Sequence, residues 1–171
     1  FTAMWPGTFR GGFALFGGTS RPSILGYASM LGGDGTVRGH CQRSDLTCWS
    51  MPSAMRDSLV TDIDGDGADE LVTALDTNCR QLVAYATDGK VKWDLDVGGA
   101  AAARTFDAAS RRVICSSDAG YVVAVAGATG RREWCAWIGE QAQLLWLMPD
   151  RRVLALTTRG AGWILSADGV V

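Results

Sequence analysis

Lysine is nearly missing from this chain: Lys90 and Lys92 are the only two among 16 basic residues. Long helices draw on Glu, Lys and Gln, so the shortage argues against a helical fold. Histidine occurs once, at His40, and none of the five cysteines (Cys41, Cys48, Cys79, Cys115, Cys135) stands in a Cys-x-x-Cys pair. The usual zinc spacings are therefore excluded. A Ser–His–Asp arrangement would have to use His40, and there is no Gly-x-Ser-x-Gly elbow, no P-loop and no dinucleotide fingerprint opening a helix. Asn78, the lone asparagine, is followed by Cys79-Arg80, so no N-glycosylation sequon exists. No apolar run approaches the roughly 20 residues that span a bilayer. The net charge is −2, and outside the segment Asp62 to Glu70 there is no dense run of either sign. Neither a nucleic-acid footprint nor attraction to a membrane surface is expected.

What remains is the composition of short strands and tight turns: 22 glycines, 7 tryptophans and a 47% apolar fraction in 171 residues, enough for one domain with a sizeable core. Cys41 and Cys48 enclose a short loop that a disulfide can close in an oxidising compartment, and an odd count leaves at least one thiol free or paired between chains. Phe1 in place of an initiator Met is what a processed product or a fragment would show.

Three segments share one pattern: Leu82 to Trp93, Tyr121 to Trp134 and Gly162 to Val171. Each is an alternating apolar strand, an Asp-Gly or Thr-Gly turn, and the start of a second strand, which is hairpin grammar. The turn glycines Gly89, Gly130 and Gly169 recur at close to 40 residues, and Ser23 to Val37 is a weaker copy turning at Gly35. Two further apolar runs precede each hairpin: Thr2–Trp5 and Phe13–Phe16, joined by Pro6-Gly7; Ser58–Thr61 and Leu71–Ala74; Ala101–Phe106 and Arg112–Cys115; Leu144–Met148 and Val153–Leu156. Four strands per unit at this period predict an all-β chain, a β-propeller of about four blades of four antiparallel strands. The units are 1–41, 55–97, 100–138 and 143–171 of a single domain, with 42–54 an insertion. The fourth unit stops at Val171 with its last strand unfinished, an open edge that invites pairing. The Gly-rich segment Phe1 to Gly18 is a candidate to fill that gap, in its own ring or in a neighbour's, where repeated donation would build a filament.

The segments Ala84–Trp93 and Ala124–Trp134 resemble the repeats of quinoprotein-type (PQQ-like) propellers. The resemblance implies that Trp93 and Trp134, about four residues after their turn glycines, lock adjacent blades. The first unit has Gly39 in that place. Packing is the plain role for such rings, and an exposed one such as Trp49 is a candidate platform for carbohydrate. The pairs Arg111-Arg112, Arg131-Arg132 and Arg151-Arg152 recur every 20 residues at turns. They read as solvated turn charge, the sharper alternative being a basic row on one rim.

The strongest chemical signal is Thr61-Asp-Ile-Asp-Gly-Asp-Gly-Ala-Asp-Glu-Leu-Val72. Alternating carboxylates at Asp62, Asp64 and Asp66 can all face a cation inside a curling loop, with Gly65 and Gly67 permitting the path. Glu70 can close the site and Ala68 offers a carbonyl. Such hard, numerous oxygen ligands suit Ca²⁺ better than Mg²⁺. The twelfth position is Thr73 rather than Glu, and Leu71-Val72 begin a strand, so this is no EF-hand. The string is similar to the calcium loop of FG-GAP and VCBS repeats. That resemblance implies side-chain ligation by Asp62, Asp64, Asp66 and Glu70, a carbonyl from Ala68, and Asp69 pointing outward, with the loop joining the first two strands of a blade. No His or Lys is placed beside the loop by sequence, so a structural role is expected for the ion.

Together the two resemblances imply a non-enzymatic, extracellular or cell-surface calcium-binding module of structural or adhesive type, with a protein partner or identical subunits. The alternative from another class is a fragment of a larger quinoprotein-type dehydrogenase, whose cofactor site needs about eight blades.

Overall fold

The computed structural model describes residues 7–9, 12–17, 27–32, 37–41, 59–75 and 81–171. Among these residues every regular element is a β-strand, and the strands form four antiparallel sheets in simple up-and-down order. The first sheet holds β1 (Gly7–Phe9), β2 (Gly12–Gly17), β3 (Tyr27–Gly32) and β4 (Val37–Cys41). The second holds β5 (Leu59–Thr61), β6 (Glu70–Leu75), β7 (Gln81–Tyr85) and β8 (Val91–Asp96). The third holds β9 (Ala101–Asp107), β10 (Arg112–Ser117), β11 (Tyr121–Ala126) and β12 (Arg132–Trp137). The fourth has three strands, β13 (Ala142–Leu147), β14 (Val153–Thr157) and β15 (Gly162–Leu165).

Leading strands of successive sheets adjoin one another: β1 meets β5, β5 meets β9, and β9 meets β13. Two cores fill the spaces between sheets. Ile63, Val72, Leu82, Ala84, Trp93 and Val97 of the second sheet pack on Val113, Cys115, Val123 and Val125 of the third. The opposite face of the third sheet, with Ile114, Val122, Ala124 and Ala136, packs on Ala142, Leu145, Val153, Ala155 and Leu165 of the fourth. A strand sandwiched on both faces has no solvent side, which is why Tyr121-Val-Val-Ala-Val-Ala126 lacks polar alternation.

A single irregularity recurs where the third and fourth strands of a sheet pair. Ala84 faces Trp93 but Tyr85 faces Val91, so Lys92 has no opposite residue. Glu133 is left out in the same way between Trp134 and Arg132, and Arg38 between Gly39 and Val37. These are bulges, which bend a strand and re-aim one side chain. Each bulged residue here carries a charge.

The expected first strand is displaced. Thr2–Trp5 lies outside the described residues, and Gly7, read as part of a turn, is inside β1, opposite Ala14. Only residues 10 and 11 separate β1 from β2, the length of a tight hairpin, whereas a Pro6-Gly7 junction would leave a longer loop before Phe13. Of the segment Phe1 to Gly18, Gly7–Phe9 and Gly12–Gly17 pair within the first sheet, and the rest lies outside the described residues. His40 and Cys41 end β4. The insertion 42–54, with Cys48 and Trp49, lies outside the described residues, as does Cys79.

Candidate functional site

The acidic loop joins β5 to β6, the first two strands of the second sheet. Its path is set by short-range bonds from backbone N–H groups to its own carboxylates. Gly65 and Gly67 donate to Asp62 Oδ1 and Oδ2 at 2.5 and 3.2 Å. Asp66 donates to Asp64 Oδ1 at 3.2 Å, and Ala68 donates to Asp66 Oδ1 at 2.7 Å. Such Asx-type bonds stabilise turns without a ladder. Gly65 and Gly67 have φ of +90° and +91°, in the left-handed region where a Cβ is costly. Ile63 is buried in the core and pins the loop to the sheet, and its N–H donates to Glu70 Oε2 at 3.0 Å.

One oxygen from each of Asp62, Asp64 and Glu70 lies within 4.8 Å of the others. That triad contains three of the four expected side-chain ligands. Asp66 stands at the rim, 56% exposed, and Asp69 is half-buried outside the triad. Glu70, 1% exposed, forms the floor. Spacing and donor set fit a hard cation such as Ca²⁺, which tolerates irregular oxygen cages and completes its shell with carbonyls or water.

Sequence places no lysine beside the loop, but the fold does. Lys92, aimed inward by its bulge, donates to Asp64 Oδ2 and to Glu70 Oε1, the latter at 2.7 Å, and lies 3.8 Å from Asp66 Oδ2. Burial works against its charge, yet the bonds to Asp64 and Glu70 hold the Lys92 pKa above its ordinary value. Burial also resists ionisation of Asp64, but Lys92 and the Asp66 N–H prevail and hold its carboxyl below the usual range. Burial pushes the Glu70 carboxyl up, against Lys92 and the Ile63 N–H. The sequence cue to Lys92 was its place directly before a docking tryptophan, the place Glu133 holds before Trp134.

The loop is also a joint between sheets. Arg111, from the turn after β9, donates to the Asp62 carbonyl at 3.2 Å and to Asp62 Oδ1 at 3.3 Å. Its guanidinium covers Gly65 so closely that a Cβ there would come within 2.6 Å. Gly127 of the third sheet sits under the Ile63 carbonyl, where a Cβ would approach to 2.1 Å. Gly127 in turn accepts a 2.6 Å bond from Trp93 Nε1. Trp93 lies over Gly130, and Trp134 repeats the arrangement one sheet later, over Gly169 and bonded to Ala167 O at 3.0 Å. Each tryptophan thus bridges two neighbouring sheets.

Five of the six paired arginines are exposed, as solvated turn charge would be, yet several also make specific contacts. Arg111 and Arg151 both adopt positive φ, 52° and 66°, and each reaches an aspartate of the preceding sheet. Arg151 Nη2 lies 2.9 Å from Asp107 Oδ2. Arg112 binds Glu133 and the Ala167 carbonyl, and Arg132 binds the Asp96 carbonyl. They are clasps within and between sheets rather than a free basic rim, though Arg131 is largely exposed.

Among solved structures, Sqt1 from Saccharomyces cerevisiae superposes with a TM-score of 0.66 at 13% identity over 90% of this chain and 40% of that one. The WD40 β-propeller domain of Doa1 gives 0.60 at 14% identity over 90% of this chain and 46% of that one. The computationally designed Ika4 protein gives 0.62 at 12% identity, covering 90% of this chain and 84% of that one. The chain therefore spans less than half of Sqt1 and of the Doa1 domain. No protein-family model matches the chain, and no curated protein matches it in sequence. No helix among the described residues is long and apolar enough to cross a membrane. At these identities the likeness speaks for architecture alone, and that architecture is the β-propeller.

Proposed function

We propose that this chain is a non-enzymatic, extracellular calcium-binding module in which a metal-stiffened loop fixes one blade against the next. The observation that carries this reading is the convergence of Asp62, Asp64 and Glu70 at the joint with the following sheet. A cation there would draw the β5–β6 loop, Arg111 and Gly127 into one rigid unit. We read the blade with the acidic loop as FG-GAP/VCBS-like and the tryptophan-locked hairpins as PQQ-like. Four antiparallel sheets in sequence order support about four blades.

The partner-facing element in this reading is the outer face of the fourth sheet. Leu144, Trp146, Leu156 and Ile164 are all exposed on it, Trp146 at 61%. The row Trp146–Leu154–Ile164 is the counterpart of Thr105–Ile114–Ala124, the row with which the third sheet receives the fourth. Its chemistry suits another blade, supplied by an identical subunit or a protein partner, with β15 as an edge able to accept a strand.

Light scattering with calcium and then with a chelator tests this. Calcium-dependent mass or compactness, lost in Asp64→Asn, is the expected result. Indifference to both calcium and chelator would remove the metal from the reading, and a fixed monomer insensitive to Trp146→Lys would remove the assembly face.

A further inference from the structure

We propose that Lys92 is a tethered counter-cation that holds the acidic loop closed without metal and competes directly with calcium for Asp64 and Glu70. The inference rests on the calcium reading of the loop. Its own footing is the position of the Lys92 ammonium, bonded to Asp64 Oδ2 and to Glu70 Oε1 at 2.7 Å and near Asp66 at 3.8 Å. Calcium–oxygen distances run to about 2.6 Å, so an ion served by these same oxygens would take the space of that nitrogen. The two cations cannot share it.

Placement of Lys92 is built into the backbone. It is the bulged residue between Val91 and Trp93, and the same bulge turns Glu133 of the third sheet onto Arg112. Trp93, bonded to Gly127 and packed over Gly130, fixes the strand beside it. The lysine is thus aimed at the loop by the propeller repeat. A loop of crowded carboxylates would repel itself when bare. With Lys92 and Arg111 in place two of the four charges on Asp62, Asp64, Asp66 and Glu70 are balanced, which lets the blade fold before metal arrives. Metal binding then requires Lys92 to swing out to solvent, raising the calcium concentration at which the site fills.

Isothermal titration calorimetry with Ca²⁺ alone, on wild type, Lys92→Met and Lys92→Gln, tests the inference, with the melting temperature of each variant in chelator as the second readout. Removing the ammonium should tighten calcium binding on the order of tenfold. It should also lower the metal-free melting temperature and enlarge the rise that calcium produces. Equal or weaker calcium binding by both folded variants than by wild type would overturn the competition while leaving the calcium reading intact. If the variants bind and wild type does not, Lys92 is the resident cation and the calcium reading fails for the native chain. Absence of binding in all three overturns both.

Discussion

Gly130→Ala tests the lock between the second and third sheets. Gly130 has φ of +69°, where an L-residue costs about 1–2 kcal/mol. A Cβ there would also stand 2.7–2.8 Å from Trp93 Cγ, Cβ and Cδ2, closer than real contacts allow. The ring cannot retreat, because its face is in the core and Nε1 is bonded to Gly127 O. Overpacking of this kind adds about 1–3 kcal/mol, for a total of about 2–5 kcal/mol. Gly160→Ala is the control: its φ is +84° with nothing within 4 Å of a new Cβ, so it should cost only the backbone strain. Trp93→Ala supplies the other leg of a double-mutant cycle and should itself cost about 3–5 kcal/mol. In that background Gly130→Ala should lose its clash with the ring and keep only the contact with the remaining Cβ, a coupling of about 1–3 kcal/mol. Urea unfolding followed by far-ultraviolet circular dichroism gives all four free energies. Equal costs for Gly130→Ala and Gly160→Ala, or additivity with Trp93→Ala, would refute the ring-on-glycine account of the joint.

Two further outcomes are expected. Burial raises the Asp107 pKa, but Ser110 and Arg151 outweigh it and hold the carboxyl below its ordinary value. Its stabilisation is therefore present above the unfolded carboxylate range and lost as pH falls through the folded value. Asp107→Asn should cost about 1–3 kcal/mol at pH 7 and flatten the acid limb of stability below about pH 4, read by urea melts across pH; an unchanged acid limb would rule this out. Cys135 is exposed, whereas Cys115 is buried and its thiol is pushed up to about 12. Alkylation of the native protein at pH 8 followed by peptide mapping should label Cys135 well before Cys115, and equal labelling would contradict the buried placement.

The repeat made most strands legible because its signals are local. The short apolar run Tyr121–Ala126 and the turn glycines Gly130 and Gly169 are read from near neighbours alone. The misplaced first strand shows the limit: Pro6-Gly7 is a good turn dipeptide, but pairing with Phe13–Phe16 placed Gly7 in the ladder. The carboxylates of the acidic loop were equally readable, since Asp62, Asp64 and Glu70 converge within one short connection.

The chain by itself determined the repeat, its turns and the crowded carboxylates, all features whose cause lies within a few residues or within one period. Tertiary structure alone decided what balances those carboxylates and what the loop rests on. Lys92 reaches Asp64 across 28 residues because a bulge turns it inward, and Arg111 reaches Asp62 across 49 because the next sheet lies alongside. The physical reason is that a cation's partners depend on the space its flexible stem can reach after packing, and linear spacing carries no record of that space.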